Sequence, residues 1–143
     1  MKKAYQNYLI ALLIFIVYSS LLLSLSFINL QPQIFLTFVF LGYFILGVIF
    51  GFIFRKRFLS GSVTAFPLTF LGWLIAFALF SSLDGFTSPV QSFSEDFQNA
   101  LIAGLFFSTI TFVGALLTAM AFKLFQSISK RIKTSSASLE PGQ

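Results

Sequence analysis

The chain has 143 residues, of which 57% are apolar and only 9% charged, with a mean hydropathy of +0.94, and this makeup excludes an ordinary water-soluble domain. It contains no cysteine and no histidine, which excludes disulfides, iron–sulfur clusters and histidine-ligated haem and removes the thiolate and imidazole ligands on which a zinc or redox role normally depends, so neither role is expected. A net charge of +5 would suggest nucleic acid in a soluble protein, but here the basic residues sit only where the chain leaves its apolar stretches, and nucleic acid is not an expected partner.

No charged residue occurs from Ala4 to Phe54, from Phe58 to Leu83 or from Phe97 to Phe122. A spanning helix needs about 20 apolar residues at ~1.5 Å rise, so the first run is long enough for two helices and the others for one each. The pattern predicts an all-α integral membrane protein, a four-helix transmembrane bundle with short turns. The single membrane domain covers 1–133, with helices at about 9–27, 34–54, 63–83 and 99–123.

Lys2 and Lys3 precede the first helix. The same start fits a secretory signal, with Ser24 and Ser26 offering a cleavage site, but a signal's apolar region is only ~7–15 residues long and the spanning reading is favoured. A polar turn at Ile28, Asn29, Leu30, Gln31, Pro32 and Gln33 separates helices 1 and 2. Helix 2 carries Gly47 and Gly51 as a small-xxx-small pair and is followed by Arg55, Lys56 and Arg57.

On helix 3, Ser62, Ala65, Thr69, Gly72 and Ala76 recur at spacings of three and four and so share one side. Pro67 lies inside this helix, where it removes a hydrogen bond to Val63 and should bend the chain; a packing kink is favoured over a hinge. Trp73, the single tryptophan, falls near mid-span, although tryptophan prefers the headgroup level; core filling is favoured over a lipid or cofactor groove. The 22 phenylalanines read as packing bulk.

The third loop carries the acidic residues Asp84, Glu95 and Asp96. Ser88, Pro89 and Gln91 fit the start of a short external interfacial helix, with Val90, Phe93 and Phe97 on one face, while Ser92 with Glu95 makes a competing cap. On helix 4, Ala100, Gly104, Ser108, Thr111, Ala115 and Ala119 form a second small-residue stripe. Beyond it, Leu124, Phe125, Ile128 and Ile132 share a face while Lys130, Arg131 and Lys133 point elsewhere, an amphipathic extension over 124–133. The segment 134–143 is small and polar and is expected to be a disordered cytoplasmic tail.

All nine basic residues (Lys2, Lys3, Arg55, Lys56, Arg57, Lys123, Lys130, Arg131 and Lys133) fall on one side of this topology. The positive-inside rule makes that side cytoplasmic, with both termini inside and the protein in the plasma (inner) membrane. There the basic residues would meet anionic lipid headgroups.

The two stripes with the helix 2 pair mark helix-packing or partner interfaces at Gly47, Gly51, Ala65, Thr69, Gly72, Ala76, Gly104, Ser108, Thr111, Ala115 and Ala119. The sharper alternative is a hydroxyl-lined pathway through Thr69, Ser108, Thr111 and Thr118. No Asp, Glu, Lys, Arg or His lies at membrane depth, and proton relays, ion-coupled carriers and intramembrane hydrolases normally require one. A serine or threonine nucleophile has no base here. No catalytic, metal or cofactor site is expected. The expected function is a non-catalytic accessory, assembly or scaffold subunit, binding a membrane-protein partner or further copies of itself through helices 3 and 4. An oligomeric channel or carrier for a neutral or lipid-like substrate, and a holin-like pore former, are the alternatives.

Overall fold

A computed structural model describes the backbone of residues 2–26, 31–54, 58–84 and 93–137. It is all-helical over these residues, in the order α1 (Lys2–Ser26), α2 (Pro32–Ile53), α3 (Phe58–Asp84) and α4 (Phe93–Ala137). Each of the four contains a stretch long and apolar enough to cross a membrane.

The helices outrun the apolar segments that announce them. α1 begins at Lys2 and not near residue 9, since Lys3, Gln6 and Asn7 are compatible with a helix whether or not they are apolar. α2 starts at Pro32, two residues before the expected boundary; Gln31 caps it in an extended conformation, and proline suits the first helical position because its missing N–H would have no partner there. The Gln31 carbonyl accepts the N–H groups of Ile34 and Phe35 at 2.9 and 3.1 Å. α3 runs from Phe58 through Pro67 as one helix, and Pro67 itself is exposed.

α4 departs furthest from expectation. Phe93, Glu95, Asp96 and Phe97 belong to α4 itself, and Asp96 stands near its start, where a carboxylate complements the positive end of the helix dipole. The segment 134–137, expected to be disordered, continues the helix to Ala137. Ser88, Pro89, Val90, Gln91 and Ser92, the turn at 27–30, Arg55, Lys56 and Arg57, and residues 138–143 lie outside the described residues.

α4 packs most extensively on α2 and next on α3, α1 packs on α3, and α1 meets α2 only slightly. Around the bundle the order is therefore α1, α3, α4, α2, with a loose seam between the first two helices in the chain. The reason lies in side-chain size. Gly47 and Gly51 of α2 face Thr111 and Ala115 of α4 so closely that a Cβ on Gly47 would collide with the Thr111 carbonyl, and one on Gly51 would stand 2.7 Å from the Ala115 carbonyl. From the other side, a Cβ on Gly114 would stand 2.7 Å from the Phe44 carbonyl. The α1–α3 contact is made the same way, with Gly72 against the backbone and Cβ of Phe15.

These contacts also fix which ends lie together. Tyr8 stacks on Phe54 with ring centroids 4.6 Å apart, and Gly51 lies against Thr118, so the start of α1, the end of α2 and the Thr118 region of α4 share one end of the bundle. Among the described residues, the helix segments that carry Lys2, Lys3, Lys123, Lys130 and Arg131 run toward that end, and α4 starts, with Asp96, at the other.

Gly47→Leu should lower the unfolding free energy in mild detergent by about 1–3 kcal/mol or more through overpacking. Ile45→Leu, on the outward side of α2 and 46% exposed, should change it little. A titration with denaturing detergent followed by circular dichroism measures both, and equal tolerance would mean that the α2–α4 backbones are not in contact.

Candidate functional site

The residues of the small-residue stripes lie inside the bundle. Gly47, Gly51, Ala65, Thr69, Gly72, Ala76, Gly104, Ser108, Thr111, Ala115 and Ala119 are all buried within this one chain. They do not converge on a cleft. Gly47 and Gly51 meet the Thr111–Ala115 part of α4, while Gly104 admits the rings of Trp73 and Phe70 from α3: a Cβ there would stand 2.7 Å from Trp73 Cδ1. The α3 and α4 faces offered for a partner are thus closed by the chain's own helices.

The hydroxyls along these faces bond within their own helices. Thr69 donates to the Ala65 carbonyl at 2.8 Å, Ser108 to Gly104 at 2.6 Å, Thr111 to Phe107 at 3.0 Å and Thr118 to Gly114 at 2.9 Å. Each proton is thereby directed one turn back, as serine and threonine do in apolar surroundings. Among the described residues, no buried side-chain nitrogen or oxygen lacks a partner.

The centre of the molecule is a polar and aromatic cluster to which every helix contributes. Tyr43 of α2 is fully buried, and its hydroxyl shares a 2.7 Å hydrogen bond with Ser19 of α1. Its ring stacks on Phe107 of α4 at 4.8 Å and meets Tyr18 edge-on at 5.1 Å. Trp73 of α3 packs edge-on against the same Phe107 at 4.8 Å and donates its Nε1 proton to the Ala100 carbonyl at 2.7 Å. Next to the cluster, the Tyr18 hydroxyl donates to the Phe38 carbonyl at 2.7 Å. Buried tyrosine and tryptophan normally find such partners for their polar tips. Ser19 and Tyr43 went unnoticed in the sequence because neither belongs to a small-residue stripe; the available signal was a hydroxyl pair, Ser19 and Ser20, in the middle of an apolar helix.

The basic residues whose side chains are described stand clear of the bundle interior: Lys123, Lys130 and Arg131 are exposed. So are the apolar residues of the extension, with Leu124 at 63%, Phe125 at 71%, Ile128 at 57% and Ile132 at 64%. At 45 residues α4 is about 67 Å long at ~1.5 Å per residue, against ~30 Å for a hydrocarbon core.

Ser19→Ala should destabilise by about 1–3 kcal/mol, because it leaves the Tyr43 hydroxyl buried without a partner. Tyr43→Phe should cost less, since the Ser19 hydroxyl can turn to a carbonyl of its own helix. The double variant should then resemble Tyr43→Phe alone, and strictly additive losses in a detergent unfolding titration would show that the two hydroxyls are not paired. Independently, the fluorescence of the lone Trp73 should be blue-shifted and resistant to acrylamide, and Gly104→Leu should shift it to the red by displacing the indole.

No protein-family model, curated protein or solved structure matches this chain.

Proposed function

We propose that the chain is a multi-pass protein of the plasma (inner) membrane with both termini in the cytoplasm, acting as a non-catalytic accessory, assembly or scaffold subunit of a membrane complex. The observation that carries this reading is the continuation of α4 beyond the bundle, combined with an interior in which the described buried polar atoms are all partnered. A bundle whose small-residue faces are closed must meet other molecules through its perimeter or through what projects from it.

The projecting part of α4 suits a scaffold. Its basic residues Lys123, Lys130, Arg131 and Lys133 have no acidic residue among them, and each basic side chain near an anionic leaflet contributes about 1 kcal/mol. Leu124, Phe125, Ile128 and Ile132 give the same segment an apolar side. The cytoplasmic assignment rests on the separation of basic from acidic bundle ends. The carrier or channel reading draws less support, because its hydroxyl pathway would run through groups already bonded to their own helices.

Reporter fusions after Lys3, Arg57 and Lys133 should read cytoplasmic and a fusion near Val90 external; an external signal after Arg57 would end the topology. Affinity purification in mild detergent with mass spectrometry of the eluate should yield a stoichiometric larger membrane partner. A homo-oligomer alone would instead favour the channel or carrier.

A further inference from the structure

α4 outlasts the helices that flank it. Gly51 of α2 lies against Ala115 and Thr118, and α2 ends shortly afterwards at Ile53, so α4 leaves that contact soon after Thr118. Among the described residues α1 makes no packing contact with α4. The charge-free run of α2 closes at Phe54, which puts the edge of the hydrocarbon layer near the level of Thr118. From there to Ile128 is about 15 Å and to Ile132 about 21 Å at ~1.5 Å per residue, whereas the headgroup layer adds only ~5–8 Å to each face of the core. An ordinary tilt of ~20° shortens these heights by less than about a tenth. The helix also has no break at which to fold down onto the leaflet: from Ala115 to Ala137 the sequence contains no glycine or proline, the usual causes of a sharp bend.

Leu124, Phe125, Ile128 and Ile132 share one side of this projection, each more than half exposed, and the last two stand beyond the headgroups. A contiguous apolar side in water marks a contact site. The same segment carries Lys123, Lys130 and Arg131, all exposed, and no acidic residue occurs from Phe97 to Leu139. At ~100° per residue Arg131 borders the apolar side, while Lys123 and Lys130 lie on the opposite side. This charge decides between protein occupants. Copies of the chain in one membrane share their orientation, so a second copy would set like charges against like, which is unfavourable; an acidic surface is attracted instead.

We infer that α4 from Leu124 to Ile132 is a docking helix for an acidic amphipathic helix of a partner protein, whose apolar side covers Leu124, Phe125, Ile128 and Ile132 and whose carboxylates face Arg131. Lys123 and Lys130 add to the positive potential that draws such a helix in. The inference rests on the accessory-subunit reading and names the kind of partner segment which that role engages.

The chain has no cysteine, so a nitroxide at Ser129→Cys, beside the apolar side, reports what covers it. The full-length protein is placed in nanodiscs of phosphatidylcholine and phosphatidylglycerol. The probe is a synthetic helical peptide with leucines along one side and glutamates along the other, and its control has lysine for every glutamate. Without peptide, a neutral nickel chelate should reach the label several-fold more readily than one at Leu41→Cys, on the outward side of α2. The glutamate peptide should cut that access several-fold, saturating at one peptide per chain, and the lysine peptide should not. Ile128→Ser combined with Ile132→Ser should abolish the protection, and Arg131→Glu should weaken it several-fold; unchanged Trp73 emission shows that the bundle is intact in each. A label shielded before peptide is added would mean that the leaflet covers this side, and spin–spin broadening between two copies in one disc would mean that a second copy does. Either result overturns the proposal, as does equal protection by both peptides or by neither. A membrane partner that still copurifies in full with the double serine variant would remove the docking helix and leave the accessory reading standing. Protection by the glutamate peptide with no copurifying partner would do the reverse.

Discussion

The backbones of α2 and α4 touch at Gly47, Gly51 and Gly114, and the positions of the other two helices follow from that contact. In lipid, apolar side chains gain little by turning from hydrocarbon toward one another, so helix pairing depends on dispersion between closely approaching surfaces. Glycine supplies that approach by removing the side chain on one partner. With α2 seated on one side of α4, the Gly104 face is left for the rings of Trp73 and Phe70 from α3. α1 then docks through Phe15 on Gly72 of α3 and has little left to share with α2.

Close approach alone would leave the register of these helices free to slide, and the central cluster removes that freedom. Ser19, Tyr43, Trp73 and Phe107 come from the four different helices and meet through one hydrogen bond and two ring contacts, while the Trp73 indole N–H donates to the Ala100 carbonyl of α4. A shift of one turn along any helix would strand a buried hydroxyl or indole N–H where water is scarce, which is costly. The hydroxyls of Thr69, Ser108, Thr111 and Thr118 bond back to their own helices and leave those interfaces apolar. Packing therefore sets which helices are neighbours, and the polar cluster sets their alignment.

The bundle that results is uneven, and its unevenness bears on what it can do. α4 is held on two sides along its span and then continues past the others, carrying an exposed apolar side and its basic residues with it. α1 is held by α3 and leaves an open seam toward α2. Among the described residues the buried polar atoms of the interior are all partnered, so the surface the helices leave uncovered lies on the outside of the bundle and along the α4 projection.

Much of this was legible in the residues. Charge-free runs mark four spans because charged side chains are expensive in hydrocarbon, and small residues at spacings of three and four mark buried faces because bulk there would keep backbones apart. Helix ends were less legible: Lys2 to Tyr8 and Thr134 to Ala137 are helical without being apolar throughout, since hydrogen bonding within a helix does not depend on what surrounds it. What only the tertiary structure decided is which surface each stripe meets. Spacing along one helix carries no information about the partner helix, so the sequence could not say that Gly47 meets Thr111, that Gly104 makes room for Trp73, or that Ser19 bonds Tyr43 across two helices. Those pairings arise from the mutual fit of four surfaces, and they turn a face that reads equally well as a docking site into the inside of a single chain.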